Sequence, residues 1–411
     1  MMTLKEALIE EYKEKGKQLV ETFLQPSLHA VLLHPDKISD EDFLRCYPHV
    51  QPHPILPHAY LYDKQEYELG KSLLHQMGAF YLQDPSAMVP AFFLPLFPGE
   101  IVLDACAAPG GKTIQLALRE KNAIIFSNEI QYARAEILSS NVERMGLGNV
   151  LVHSSSIDSL RGLSFSSILL DAPCSGSGMV RKDARMESDW SIEKVKKNAK
   201  IQEQLLHIAS TLLKPGGYLL YSTCSYSPSE NHLQIEHFLS THSDFEVVEI
   251  PLLSPYNFLK QEVGYLLTPL TFPGEGQYLC LLKKKGMTSI PKEVSPFTFT
   301  YKNWKCSLPF FFSMQKQSFL RPGLKISENK NGIEKFDHAY GVYQDSLSIE
   351  LTLEETKQYI RGECVRKKAP KGWISLSYHG IHFAIGKSDG EQIKNHYPKG
   401  LRRSFSDLLP F

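Results

Sequence analysis

Ile101-Val102-Leu103-Asp104-Ala105-Cys106-Ala107-Ala108-Pro109-Gly110-Gly111-Lys112-Thr113 decides the fold. The apolar run Ile101-Val102-Leu103 reads as a buried strand, the small residues and glycines as a tight loop, and Thr113 to Arg119 as a helix. A strand that passes through such a loop into a helix N-terminus lets backbone N–H groups and the helix dipole approach a ligand. Gly111-Lys112-Thr113 invites comparison with a triphosphate-binding loop. That pattern requires glycine at position 106, where Cys106 stands. The loop therefore suits a nucleoside better than a triphosphate. Glu129 ends the next predicted strand, where an acid that holds a ribose belongs in such folds.

Outward from this stretch the pattern alternates. Ala123 to Ser127, Val150 to His153, Ile168 to Leu170 and Tyr218 to Ser222 read as strands. Between them lie two helical spans, Tyr132 to Met145, stopped by Gly146, and Ser191 to Leu213, stopped by Lys214-Pro215-Gly216-Gly217. Ser227-Pro228-Ser229-Glu230 predicts a capping box with proline at the first helical position. Glu246 to Ile250 and Tyr278 to Leu282 read as closing strands. Strands alternating with helices predict an α/β domain, a doubly wound and mostly parallel sheet over 78–285.

The flanks read differently. Residues 1–77 carry a helical pattern from Leu4 to Phe23, a strand-like run from Ala30 to Leu33 and a helix start at Ser39, and form a small N-terminal domain. An apolar helix near Val89 to Leu96 leads into the central domain. Gly286 to Ser295 reads as a linker, and 286–411 as a smaller mixed α/β or all-β domain. In it, Trp373 to Tyr378 and Ile381 to Ile385 flank His379-Gly380 as a tight hairpin.

The chain's 411 residues suit two or three domains, and its 42% hydrophobic and 22% charged content is that of an ordinary globular protein. Lys plus Arg and Asp plus Glu are both 45, so net charge selects no partner. Seven scattered cysteines without a CxxC pair argue against a zinc site and a disulfide framework, and for a reducing compartment. Glu6, Glu10, Glu11 and Glu14 are the wrong charge for a signal peptide, and no apolar run is long enough for a bilayer. A cytoplasmic location without membrane or metal is expected. None of the fifteen histidines is assigned a catalytic role.

Two further motifs end strands of the same sheet. Asp171-Ala172-Pro173-Cys174-Ser175-Gly176-Ser177-Gly178 follows Ile168-Leu169-Leu170, and Ser222-Thr223-Cys224-Ser225 ends the fifth strand. Taken alone, Cys174 is a candidate nucleophile; a lone buried cysteine is usually packing, but two at strand ends among small polar residues point to chemistry.

In this order and spacing, the motifs at 104–113, 171–178 and 222–225 resemble those of the RNA cytosine-5 methyltransferases of the RsmB/NOP (Sun) family. The resemblance covers roughly Tyr81 to Leu282. Within the family the chain is most similar to the bacterial RsmF-type 16S rRNA methyltransferases, through Val180-Arg181-Lys182-Asp183 and through Leu351-Thr352, Tyr359-Ile360-Arg361-Gly362 and Lys394-Asn395-His396-Tyr397-Pro398 in the tail. The resemblance implies a Rossmann-like, S-adenosylmethionine-dependent methyltransferase core between N- and C-terminal RNA-binding domains, the latter PUA-like. It implies Cys224 as nucleophile, Cys174 in product release, and Asp171 at the cytosine N3/N4 edge and beside the cofactor. Cys106, Ala107, Ala108, Pro109, Gly110, Gly111, Lys112 and Glu129 would bind S-adenosylmethionine. The family's aspartate after the third strand is replaced by Ser156, with Asp158 nearby, and its Arg-Val-Asn-Thr-Leu-Lys run by His29-Ala30-Val31-Leu32-Leu33-His34.

The expected partner is RNA, 16S rRNA or the small ribosomal subunit, met by a monomer. In the tail, Arg361, Arg366, Lys367, Lys368, Lys371, Lys387, Lys394, Lys399, Arg402 and Arg403 outnumber the acids, and Tyr359, Trp373, Tyr378, Phe383 and Tyr397 are interleaved with them. Such a surface suits structured RNA. Transfer RNA is the alternative substrate, and an RNA-binding assembly factor without activity a second alternative. DNA is disfavoured, because DNA enzymes of this type place the nucleophile in a Pro-Cys motif and lack the Thr-Cys one.

Overall fold

The computed structural model describes residues 2–259, 262–288, 291–313, 317–343 and 348–402. Two helices open the chain, α1 (Leu4–Tyr12) and α2 (Glu14–Glu21), where the sequence predicts one. Lys13 breaks them apart with φ 55°, and the turn brings Gly16 so close to α1 that a Cβ there would lie 2.1 Å from the Leu8 carbonyl oxygen. Leu4, Leu8 and Leu19 enter the core beneath the central sheet rather than one of their own.

The N-terminal sheet comprises β1 (His29–Leu33), β2 (Gln51–Pro52), β3 (Ala59–Tyr62) and β4 (Phe80–Gln83), antiparallel in the order β2-β3-β1-β4. Ser39 caps α3 (Asp40–Cys46) by accepting from the Asp42 N–H, and Ser72 does the same for α4 (Leu73–Gln76). β4 carries this sheet past residue 77. The next residue, Asp84, caps α5 (Pro85–Phe93), the apolar helix predicted a few residues later.

The central sheet holds five parallel strands, β5 (Ile101–Asp104), β6 (Ile124–Asn128), β7 (Val150–His153), β8 (Phe165–Asp171) and β9 (Leu213–Thr223), in the order β9-β8-β5-β6-β7. They are connected through α6 (Gly111–Arg119), α7 (Tyr132–Met145), α8 (Arg185–Ser188) and α9 (Ile192–Leu212). Side chains alternate across the sheet. Leu103, Phe126, Ile168 and Leu170 enter one apolar core, and Val102, Ile125, Leu169 and Leu220 the other. Each such buried aliphatic contributes about 1.5–3 kcal/mol over an exposed one. After α10 (His232–Thr241), the strands β10 (Phe245–Val248), β11 (Tyr265–Leu267) and β12 (Gln277–Lys284) finish one edge; β12 runs antiparallel to β9 and pairs both of the others. This is the doubly wound α/β architecture the alternation predicts.

The tail holds two sheets of its own. β13 (Phe297–Tyr301), β14 (Trp304–Leu308), β15 (Phe319–Pro322), β16 (Leu324–Lys330) and β17 (Ile333–Phe336) follow the linker. β13, β14, β16 and β17 form a four-stranded antiparallel sheet, while β15 pairs antiparallel with β7 at the far edge of the central sheet. After α11 (His338–Tyr343), the second sheet comprises β18 (Ser348–Glu350), β19 (Val365–Arg366), β20 (Gly372–Tyr378), β21 (Ile381–Ser388) and β22 (Gln392–Lys394), with α12 (Leu353–Arg361) between β18 and β19. The predicted hairpin forms: Tyr378 faces Ile381, and His379 and Gly380 have φ 47° and 74°, as a two-residue turn of the favoured hand requires.

The two flanks share a core. Val31, Phe43 and Phe80 cluster with Tyr359, Leu376, Phe383 and Tyr397, and the Gln76 amide donates to the Leu401 carbonyl at 2.6 Å. The tail aromatics Tyr359, Tyr378, Phe383 and Tyr397 are therefore core residues rather than surface platforms; Trp373 stays partly exposed. Of the basic residues, Lys367 pairs with Glu355 at 2.7 Å and Arg402 donates to the Tyr397 carbonyl, whereas Arg403 lies outside the described residues. No helix among the described residues is long and apolar enough to cross a membrane.

Candidate active site

All three sequence motifs meet at the C-terminal ends of β5, β8 and β9, where an open α/β sheet places its ligands. In the register of the parallel strands Asp104 faces Leu169 and Asp171 faces Ser222. That adjacency makes one site of residues far apart in sequence.

The 105–110 loop is pinned from several sides. Ala105 N–H donates to the Leu169 carbonyl and Ala107 N–H to the Asn128 carbonyl, each at 2.9 Å. From α7, Arg134 donates to the Ala108 carbonyl at 2.8 Å and Asn141 to the Pro109 carbonyl at 2.9 Å. Gly110, at φ 114°, is the N-cap of α6, and among the described residues no side chain caps the first N–H groups of that helix. Glu129 is buried at the end of β6, accepting from the Gln131 N–H at 3.0 Å with Arg134 3.5 Å away. Asp104 accepts from the Thr113 hydroxyl at 2.6 Å through one oxygen; its other oxygen is buried with no hydrogen-bond partner among the described residues. Burial pushes the Asp104 carboxyl up to about 7. Burial, with the carboxylates of Asp104, Asp171 and Glu129, pushes the Cys106 thiol far above its ordinary range, so this cysteine is a neutral wall of the loop.

These residues fit S-adenosylmethionine. Glu129 offers acceptors for a ribose diol, the small residues let backbone approach a nucleoside, and the orphaned Asp104 oxygen suits a cationic or hydrogen-bond-donating group. Ser156 and Asp158, the two candidates for holding the adenine, are both exposed, and Arg161 occupies the Asp158 carboxylate at 2.8 Å.

Asp171 is a hub. Lys112, buried in the first turn of α6, donates to one of its oxygens at 2.7 Å; the Ser222 hydroxyl at 2.7 Å and the Gln277 amide at 3.1 Å donate to the other. Beside it the Cys174 and Cys224 sulfurs are 3.2 Å apart, and both cysteines are partly exposed free thiols. The contact with the Cys224 sulfur, burial, and the Glu230 carboxylate all hold the Cys174 thiol well above its ordinary range. Gly178 lets the two loops touch: its N–H donates to the Cys224 carbonyl at 2.9 Å, where a Cβ would lie 2.8 Å from that oxygen.

Sequence reasoning misses Ser222 as a ligand of Asp171, Gln277, Gln202 and Glu230. Its one reading of Glu230, as half of a capping box, is corrected by the structure. Residues Pro228–Glu230 form a 3-10 turn, Ser227 makes no side-chain cap, and the Glu230 carboxylate points instead at Ser175 and Ser225. Four donors in the core satisfy a carboxylate better than one backbone N–H. Arg181 forms a buried pair with Glu275 at 3.1 Å and donates to the Gly274 carbonyl, fixing the Val180–Asp183 segment against the start of β12.

Residues 91–283 match the family described as 16S rRNA methyltransferase RsmB/F, and residues 346–403 match the Methyltransferase RsmF PUA domain. The chain is 31% identical over 398 residues to the ribosomal RNA small subunit methyltransferase F of Vibrio parahaemolyticus, covering 83% of each chain. It is also similar to a crystal structure of a methyltransferase homolog protein from Pyrococcus horikoshii (TM-score 0.59, 28% identity, 66% of this chain and 92% of that one). The structure of NSun6 from Pyrococcus horikoshii with SFG shares the fold at TM-score 0.63 and 18% identity, over 70% of this chain and 99% of that one.

Proposed function

The chain belongs to the 16S rRNA methyltransferase RsmB/F family, and from this premise we propose that it methylates carbon 5 of a cytosine in small-subunit ribosomal RNA through a transient bond from Cys224 to carbon 6. It is an RNA methyltransferase whose C-terminal region is a PUA domain. The observation that carries the finer reading is the contact of two thiols at adjacent strand ends beside Asp171.

Carbon 5 of cytosine is too weak a nucleophile to take a methyl group directly. Attack of the Cys224 thiolate on carbon 6 pushes the ring electrons onto carbon 5 and creates an enamine. Residues 106–112, Glu129 and Asp171 would hold S-adenosylmethionine, whose sulfonium would supply an electrophilic methyl group to carbon 5 and leave as the neutral thioether. A base then removes the carbon 5 proton, the ring double bond re-forms, and the carbon 6–sulfur bond breaks with its electron pair returning to Cys224. Asp171, steadied by Lys112, Ser222 and Gln277, accepts from the cytosine N4 amino edge and orients the ring. Cys174, held protonated beside Cys224, acts in release of the product.

RNA is gripped outside the site, by the N-terminal region (1–77) and by the C-terminal region (286–411) around the catalytic domain (78–285). The test is incubation with labelled S-adenosylmethionine and either small-subunit rRNA or transfer RNA, followed by nuclease digestion and mass spectrometry. 5-Methylcytidine in the rRNA digest is expected. Label confined to transfer RNA overturns the substrate, and a different methylated nucleoside overturns the chemistry.

A further inference from the structure

We propose that Glu230 is the positioning residue that holds the two thiol-bearing loops in register. This rests on the two-thiol reading above and extends it to a residue that touches neither substrate nor cofactor.

One carboxylate reaches both loops. Glu230, fully buried, accepts from the Ser175 N–H at 2.8 Å and the Ser175 hydroxyl at 2.5 Å, and from the Ser225 hydroxyl at 2.5 Å. Ser175 follows Cys174 and Ser225 follows Cys224, so the same two oxygens fix the residue next to each thiol. The Gln202 amide bridges the Glu230 carboxylate at 3.3 Å and the Pro173 carbonyl at 2.9 Å, so Cys174 is tied on both sides. Ser175 and Ser225 also meet each other at 3.1 Å, and Tyr221 anchors the Glu230 backbone by donating to its carbonyl at 2.7 Å.

The partners of this carboxylate are neutral donors. A carboxylate buried without a cation is costly, and leucine or methionine would fill the same volume at lower cost. What it supplies that an apolar residue cannot is a link between the two loops. The Glu230 carboxylate also favours the protonated form of Cys174, after the Cys224 sulfur and burial.

The test compares the full-length wild type with Glu230→Gln, which keeps the shape and removes the charge, and with Ser225→Ala, which removes one arm of the link. Three quantities are read: the thermal midpoint, kcat and KM on RNA, and the pH dependence of Cys174 alkylation by iodoacetamide, followed by peptide mass spectrometry without RNA. In Glu230→Gln, kcat falls at least about tenfold while KM stays within about twofold. Cys174 alkylation moves to lower pH, as loss of a nearby negative charge dictates. Ser225→Ala lowers kcat without moving that pH profile. Wild-type kcat and an unmoved alkylation profile in Glu230→Gln overturn the proposal, and so does a lower thermal midpoint with both of those unchanged. If Glu230→Gln does not fold, a wild-type kcat in folded Ser225→Ala overturns it. Failure of the two-thiol reading looks different: the wild type then forms no adduct with 5-azacytosine RNA, while the alkylation shift persists.

Discussion

The Cys174 and Cys224 sulfurs lie 3.2 Å apart at the ends of adjacent parallel strands. At that distance one sulfur, kept protonated, can stabilise the other as a thiolate. Loss of either should stop turnover at a different point. Cys224→Ala should form no covalent complex with RNA. Cys174→Ala should accumulate one that survives denaturing electrophoresis, because the product cannot leave.

Gly178 makes the contact sterically possible. Its Cβ would lie 2.8 Å from the Cys224 carbonyl oxygen and 3.1 Å from the Gly276 carbonyl oxygen, both backbone atoms. Gly178→Ala should therefore separate the loops, lowering stability by about 1–3 kcal/mol in denaturant titrations. It should also slow cross-linking of Cys174 to Cys224 by a short bifunctional thiol reagent.

Asp104 predicts a pH dependence of stability. Its carboxyl is raised by burial to about 7, above the value near 4 of an unfolded chain. The native state therefore keeps a proton that the unfolded chain releases. This contribution is whole below about pH 4 and is lost as pH rises to about 7, at up to about 1.4 kcal/mol per unit. The Asp104→Asn variant should lack that slope, so the difference in unfolding free energy, wild type minus variant, should fall across pH 4–7 at up to about 1.4 kcal/mol per unit.

The join between the central sheet and the tail includes an ion pair between a buried arginine and a half-buried carboxylate. Arg321 of β15 donates to Glu143 of α7 at 2.6 Å, with His338 of α11 at 3.2 Å. Burial works against the charged carboxylate, but Arg321 and His338 hold it down to about 2. Arg321→Met should cost about 3–5 kcal/mol by stranding that charge, and adding Glu143→Leu should recover most of it. Chemical denaturation of the two variants checks this.

The central domain was legible because its strands are short apolar runs bounded by glycine and proline, and because Asp104, Asp171 and Cys224 stand at strand ends. The flanks were less so. Nothing local shows that β15 crosses to pair with β7, since edge pairing depends on tertiary geometry. Lys13 gives no breaking signal, yet it ends α1. Tyr359, Phe383 and Tyr397 look like a stacking surface when interleaved with lysines, and only the shared core with Phe43 and Phe80 shows otherwise. Glu230 was misread because a local capping motif and a long-range carboxylate hub use the same residue types.

The most direct test is to trap the wild-type protein on small-subunit rRNA containing 5-azacytosine, digest with nuclease and protease, and identify the modified peptide by mass spectrometry. A nucleotide on the peptide that carries Cys224 is the predicted result. A nucleotide on Cys174, or no covalent complex at all, would contradict it.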